Sequence, residues 1–195
     1  APSAAGDTIA IVSADREGHA VSLIQSLYFT WGSGLVAGDT GVVLQNRGAF
    51  FSLDPAQANA LAPGKRTMHT LIPSMYLDGG GARFVYGTMG GEGQPQTQAA
   101  LLTRRLQRGL GVQASVEAPR WLYGRTWGAP TRALNLEGRY PAELARELAA
   151  RGHEVKVAGD WDDLFGHAQC IWIQPEAGGF SGGSDPRADG GALGF

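Results

Sequence analysis

Gly87-Thr88-Met89-Gly90-Gly91-Glu92-Gly93-Gln94-Pro95-Gln96 lies where a strand, Arg83-Phe84-Val85-Tyr86, gives way to a helix starting near Thr97. Four glycines in seven residues, Gly87, Gly90, Gly91 and Gly93, let the backbone come close to a ligand and turn its amide N–H groups toward it. A turn of this kind suits a phosphate, a carboxylate or an oxyanion. No Lys-Ser/Thr pair follows, so it is not a P-loop, and its glycine spacing does not match the dinucleotide fingerprint. On glycine content alone, a plain tight turn is an equal alternative.

On the amino-terminal side, residues 1–7 read as a flexible arm of small residues. Residues 8–13 and 20–28 then form a strand hairpin around the turn Asp15-Arg16-Glu17-Gly18. Within it, Ser22, Ile24 and Ser26 share one face and Gln25 takes the other. A short third strand is expected over residues 41–46, and an interrupted or edge strand over 70–75, where Pro73 removes a donor. Asp78-Gly79-Gly80-Gly81 is a hairpin turn into the strand before the glycine-rich loop. Beyond it, apolar Ala99, Leu102 and Leu106 mark a half-buried helix over residues 96–107, stopped by Gly109. Further helices are expected over 112–118 and 142–151, and strands over 154–157 and 169–173. The tail 178–195 is ordered only if something holds it.

At 195 residues, the chain is one domain or one subunit of something larger, and 43% hydrophobic residues supply a sizeable core. A net charge of -2 argues against a nucleic-acid partner, and no apolar run is long enough to cross a membrane. The single cysteine, Cys170, reads as a buried thiol in a strand. His69, His153 and His167 have no carboxylate or cysteine at ligand spacing, so no metal is expected; His19 faces solvent in its turn. Trp121, Tyr123, Trp127 and Trp161, with Arg120, Arg125 and Arg132, form a ligand wall or a packed cap. Asp185-Pro186-Arg187 reads as a turn held by an Asp–Arg pair.

Thr8 is the hydroxyl of chemical interest. An amino-terminal threonine uses its own α-amine as general base, with an ordinary pKa near 8. Seven residues precede Thr8 here, so by itself it reads as a strand-opening threonine. Ser26, Tyr28 and Ser33 would neighbour it across the hairpin, and the Gly90-Gly91 amides would suit a tetrahedral oxyanion.

The order and spacing of several pieces resemble a known family. They are Asp7-Thr8, Asp15-Arg16-Glu17-Gly18-His19-Ala20-Val21, Gly32-Ser33-Gly34-Leu35-Val36-Ala37-Gly38, Leu44-Gln45-Asn46 and Pro63-Gly64-Lys65-Arg66. Gly87-Thr88-Met89-Gly90-Gly91, Glu117-Ala118-Pro119-Arg120 and Ser184-Asp185-Pro186-Arg187 complete the set. Over nearly its whole length the chain resembles the small, catalytic subunit of gamma-glutamyltranspeptidase-like enzymes, which are amino-terminal-nucleophile hydrolases.

That resemblance implies an α+β fold, a four-layer αββα sandwich completed by a large subunit from the same precursor. Residues 8–195 would be the single-domain small subunit and 1–7 a residual linker. It implies self-cleavage before Thr8, attack of Thr8 on a γ-glutamyl amide such as glutathione, and release of the acyl group to water or an amine. Ser26 would support the nucleophile, Gly90 and Gly91 would hold the oxyanion, and no cofactor is involved. The large subunit would add helix cover and an arginine for the substrate α-carboxylate. Five pocket positions depart from the family pattern. Tyr28 replaces an asparagine, and Phe50 replaces the aspartate that binds the glutamyl ammonium. Arg47 replaces a neutral or acidic residue, and His69-Thr70 replaces a serine pair. These changes favour acyl groups lacking the ammonium, as in acylases for glutaryl-type amides. An idle family member that binds an acidic small ligand, and a purely structural subunit, are the alternatives. The compartment stays open between cytoplasm and periplasm.

Overall fold

The computed structural model describes residues 6–126, 130–174, 176 and 178–195. Strands β1 (Gly6–Ala14) and β2 (Ala20–Phe29) form the expected antiparallel hairpin. Strand β1 starts at Gly6, so Gly6 and Asp7, assigned to the arm from sequence, pair with Phe29 and Tyr28. Strands β3 (Ser74–Asp78), β4 (Gly81–Met89), β8 (His167–Gln174) and β9 (Gly179–Ser184) make a second antiparallel sheet in the order β3-β4-β8-β9.

The hairpin lies across β4 and β8. Gly87 permits the close approach: a Cβ there would meet Ala10 Cβ at 3.3 Å and Ser22 Oγ at 3.4 Å. Ser22 closes the seam, donating to the Tyr86 carbonyl at 2.8 Å and accepting from Ser74 N at 3.2 Å. Because strand side chains alternate, Phe84 and Tyr86 point the other way. There they pack with Ala168 and Cys170 against Leu101 of α1 (Gln94–Leu106) and Val112 and Val116 of α2 (Val112–Glu117). Three of the four expected layers, helices and two sheets, are therefore in this chain, and the class is α+β as expected. The outer face of the hairpin is apolar and half exposed at Ile9, Ile11, Val21 and Leu23. A helical layer would cover this face.

A small third sheet, β5 (Trp121–Tyr123), β6 (Leu134–Leu136) and β7 (Val155–Val157), flanks these layers beside α3 (Ala142–Ala150). Strands β5 and β6 are three residues each, too short to show a period in sequence. The strand expected over 41–46 is absent. Gly38 and Gly41 turn the chain at positive φ, leaving a Val36–Val43 bridge and a Leu44 N to Leu35 carbonyl bond of 2.8 Å. The strand expected over 70–75 begins instead at Ser74, just past Pro73, and runs to Asp78. No helix of the described residues is long and apolar enough to cross a membrane.

The tail is held by a buried ionic network. Asp185 Oδ2 accepts from Arg120 Nη2 at 2.5 Å and from Ala168 N at 2.7 Å. Arg187 Nη1 donates to Asp185 Oδ1 at 2.9 Å, and its Nε and Nη2 grip both Glu137 oxygens at 2.6 and 2.7 Å. Arg120 Nη1 reaches the Phe165 and Gly166 carbonyls at 3.1 and 2.6 Å. Burial pulls the Arg120 guanidinium down to about 10, opposed by Asp185, so it stays cationic at neutral pH. The Asp–Arg turn expected at 185–187 is part of this larger lattice. Arg120 belongs to packed structure, whereas Trp161 is exposed and carries the Arg139 guanidinium 3.4 Å over its ring. Trp127 lies outside the described residues.

Two predictions follow from this packing. Asp185→Asn would leave two buried guanidinia short of their anion, and should lower the unfolding free energy by about 3–5 kcal/mol, read from the urea midpoint. A loss below about 1 kcal/mol would contradict the network's role. Burial also pushes the Cys170 thiol up to about 12. Thiol reagents should therefore leave the folded protein unlabelled near neutrality and react only once denaturant opens it; rapid native labelling would contradict that burial.

Candidate active site

Pairing between β1 and β2 slips next to Thr8: Asp7 opposes Tyr28, yet Thr8 opposes Ser26, with Leu27 as the extra residue. Such a bulge re-aims side chains, and here Tyr28 takes a left-handed φ of 77° that costs a non-glycine residue free energy. The result is a close hydroxyl pair, Thr8 Oγ1 to Ser26 Oγ at 2.7 Å. Tyr28 N donates to the same Ser26 oxygen at 3.0 Å.

Arg47 opens the short 3-10 turn Arg47–Phe50. The turn is anchored to the end of β2 by Asn46, whose N donates to the Leu27 carbonyl at 3.1 Å and whose Oδ1 accepts from Phe29 N at 3.2 Å. This drives the Arg47 side chain inward to 4% exposure. Its Nη2 donates to Ser26 Oγ at 2.8 Å and its Nη1 to Thr70 Oγ1 at 2.9 Å. Its Cζ stands 4.9 Å from the Tyr28 ring centroid. Burial lowers the Arg47 pKa, and no carboxylate among the described residues pairs with it. Phe50 packs on Tyr28 with centroids 4.6 Å apart. A groove of about 410 Å³ opens on the outer face of the hairpin, away from the Ser26 hydroxyl, bordered by Ile9, Gln25, Leu27, Val42 and Val43.

Thr8, Ser26, Tyr28, Arg47, Phe50 and Thr70 are thus brought into one cluster. His69 is exposed, and its Nδ1 accepts from Leu71 N at 3.2 Å, so it stands beside Thr70 without entering the cluster. Gly90 and Gly91 are buried at the end of β4, with φ of 145° and 49°. Space at Gly90 is tight as well, since a Cβ there would lie 3.2 Å from Gly166 Cα. The turn they begin carries Glu92, which sits close enough to Tyr28 to raise the phenol's pKa, second only to burial.

Glu92 is itself held by Arg125, through Nε at 2.6 Å and Nη2 at 2.5 Å. This pair was not foreseen; a glutamate inside the glycine turn and an arginine in the aromatic segment were its only signals. Asn59 was missed too. Its Nδ2 donates to the Phe50 carbonyl at 2.8 Å and to Thr67 Oγ1 at 3.0 Å, tying the two pocket segments together. Among the described residues, one group offers metal-ligand atoms within 4.8 Å of one another: Asp15, Glu17 and His19 in the exposed hairpin turn. There, Asp15 is already engaged by His19 at 2.8 Å.

A hydroxyl pair backed by a buried cation is equipped for acyl transfer. The gamma-glutamyltranspeptidase family profile matches residues 1–195. The glutathione hydrolase-like YwrD proenzyme of Bacillus subtilis is 51% identical over 189 residues, which is 97% of this chain and 36% of that protein. The oxamate amidohydrolase proenzyme of Klebsiella pneumoniae is 51% identical over 191 residues, with the same 97% and 36% shares. A solved gamma-glutamyltranspeptidase from Pseudomonas nitroreducens, complexed with L-DON, superposes with a TM-score of 0.78 at 26% identity. That superposition covers 97% of this chain and 98% of the matched one. The chain therefore spans 36% of the length of these two curated relatives while matching a separate chain of the solved enzyme almost end to end. It belongs to the gamma-glutamyltranspeptidase family.

Proposed function

We propose that this chain is the nucleophile-bearing part of an amide hydrolase or acyltransferase whose acyl donor carries a carboxylate close to the scissile carbonyl. One observation carries the reading. Thr8 Oγ1 is linked through Ser26 Oγ, by bonds of 2.7 and 2.8 Å, to a buried guanidinium that has no carboxylate partner among the described residues. A cation kept unpaired in the interior is costly, and an anionic ligand offsets that cost. The two hydrogen bonds share one oxygen, so the guanidinium is no farther from Thr8 Oγ1 than their lengths end to end.

The Tyr28 ring lies 4.9 Å from this cation with Phe50 packed on that ring, and Glu92, which acts on Tyr28, is engaged by Arg125. Nothing in that arrangement favours a substrate ammonium. A short dicarboxylate monoamide of the glutaryl or oxamate kind fits better than a γ-glutamyl group. The names of the two relatives at 51% identity point both ways, and the pocket chemistry supports the reading without an ammonium.

The mechanism requires a free Thr8 amine. Thr8 Oγ1 attacks the Asp7 carbonyl, the amide becomes an ester, and water resolves it, leaving the α-amine. That amine then takes the Oγ1 proton as Oγ1 bonds to the acyl carbon of the substrate. The substrate nitrogen leaves with the proton, and water or an amine releases the acyl group. The Gly90 and Gly91 amides hold the oxyanion. The remainder of the precursor forms the large subunit and covers Ile9, Ile11, Val21 and Leu23. A second reading, an uncut and idle family member, is favoured by the pairing of β1 across the expected cut, Asp7 to Tyr28.

One experiment separates them. The complete precursor should yield a fragment beginning at Thr8, and Thr8→Ala should stay uncut and lose turnover by at least about a thousandfold. The processed enzyme should prefer a glutaryl anilide over its γ-glutamyl counterpart by roughly tenfold or more in kcat/KM. An uncut wild-type chain without turnover would favour the idle reading, and normal activity in Thr8→Ala would remove Thr8 from the chemistry.

A further inference from the structure

Ser26 Oγ takes part in three hydrogen bonds, to Arg47 Nη2 at 2.8 Å, Tyr28 N at 3.0 Å and Thr8 Oγ1 at 2.7 Å. A guanidinium and a backbone amide only donate, and a serine hydroxyl has two lone pairs and one proton. Arg47 and Tyr28 therefore occupy both lone pairs, and the serine proton points to Thr8. Thr8 Oγ1 is the acceptor of the pair. Its own proton is not spent on Ser26, and no other hydrogen bond engages it among the described residues.

This direction has a chemical consequence. A hydroxyl that accepts from a cation is a stronger donor, and its bond to Thr8 Oγ1 strengthens as that oxygen loses its proton. The effect is larger in a water-poor interior, where Arg47 is 4% exposed. Arg47 is also fixed in place: Thr70 accepts from its other arm at 2.9 Å, and the Tyr28 ring lies under its Cζ at 4.9 Å. A glutamine at position 47 would bring neither the charge nor the fork, and Ser26 would be free to turn its proton away.

We propose that Arg47 is a positioning residue for the nucleophile: acting through Ser26, it sets the direction of the Ser26–Thr8 hydrogen bond and stabilises Thr8 Oγ1 as negative charge develops there. This role is separate from binding a substrate carboxylate, and it rests on the reading of Thr8 as the nucleophile.

The test needs readouts that involve no substrate anion. The first is the rate at which the complete precursor cuts itself before Thr8. The second is turnover of a neutral anilide whose acyl chain ends in a carboxamide. Arg47→Gln should slow self-cleavage and lower kcat on the neutral anilide, each by roughly tenfold to a hundredfold. Arg47→Lys keeps the charge and a donor and should recover part of both. An Arg47→Gln protein with wild-type self-cleavage and neutral-substrate kcat, raised only in KM for acidic anilides, overturns the proposal and leaves Arg47 as an anion site alone.

If Arg47→Gln does not fold, judged by loss of a cooperative thermal transition, Arg47→Lys decides. A several-fold fall in self-cleavage at unchanged Tm supports the role, and an unchanged rate overturns it. Thr8→Ala run in parallel separates the two levels. Turnover surviving in Thr8→Ala removes the nucleophile reading itself, whereas a dead Thr8→Ala beside a normal Arg47→Gln removes this proposal only.

Discussion

The buried pair of Arg120 and Asp185, 2.5 Å apart with side chains 1% and 0% exposed, is the constraint on which the rest depends. Two ions removed from water at this depth persist only when their remaining donors and acceptors are satisfied. Here all but Arg120 Nε are, by the Phe165 and Gly166 carbonyls, Ala168 N, Arg187 and, beyond it, Glu137. The network therefore joins the end of α2, the start of β8, the tail and the small sheet. It also sets the position of Gly166, where an added Cβ would come within 2.1 Å of the Met89 carbonyl. Gly166 in turn bounds the space left to Gly90. A lattice of charges outside the pocket thus fixes the backbone of the turn assigned to the oxyanion.

Around that fixed turn the pocket is built from one bulge and one cation. The slip in register beside Leu27, with the strained φ of Tyr28, lets Ser26 face Thr8 and brings the Tyr28 amide to Ser26 Oγ. Arg47 then completes the coordination of that oxygen from the neighbouring 3-10 turn. On the reading proposed above, Arg47 and Phe50 would suit a substrate anion in place of an ammonium. The same guanidinium is joined to Thr8 Oγ1 through a single serine, which on that reading would couple substrate choice to the nucleophile.

Much of this was legible in the sequence, for identifiable reasons. Alternation in residues 20–28 placed Ser22, Ile24 and Ser26 on one face, and the structure keeps them there because that face meets β4. The glycine cluster marked the end of β4, since turns with positive φ leave a compositional trace. The segment 41–46 misled because Val42, Val43 and Leu44 look like a strand, while the turns at Gly38 and Gly41 leave no length for one. Arg47 and Thr70 were named singly as pocket positions. The hold of Arg47 on both Ser26 and Thr70 was not visible, because it depends on closing loops of 21 and 23 residues. Glu92 and Arg125, 33 residues apart, were hidden for the same reason.

The most direct test of the account is to trap the acyl-enzyme. Processed protein quenched with acid during turnover of a glutaryl anilide, then digested and mapped by mass spectrometry, should carry the glutaryl mass on the peptide that begins at Thr8. Continued turnover with the acyl mass on another residue, or on none, would contradict Thr8 as the nucleophile.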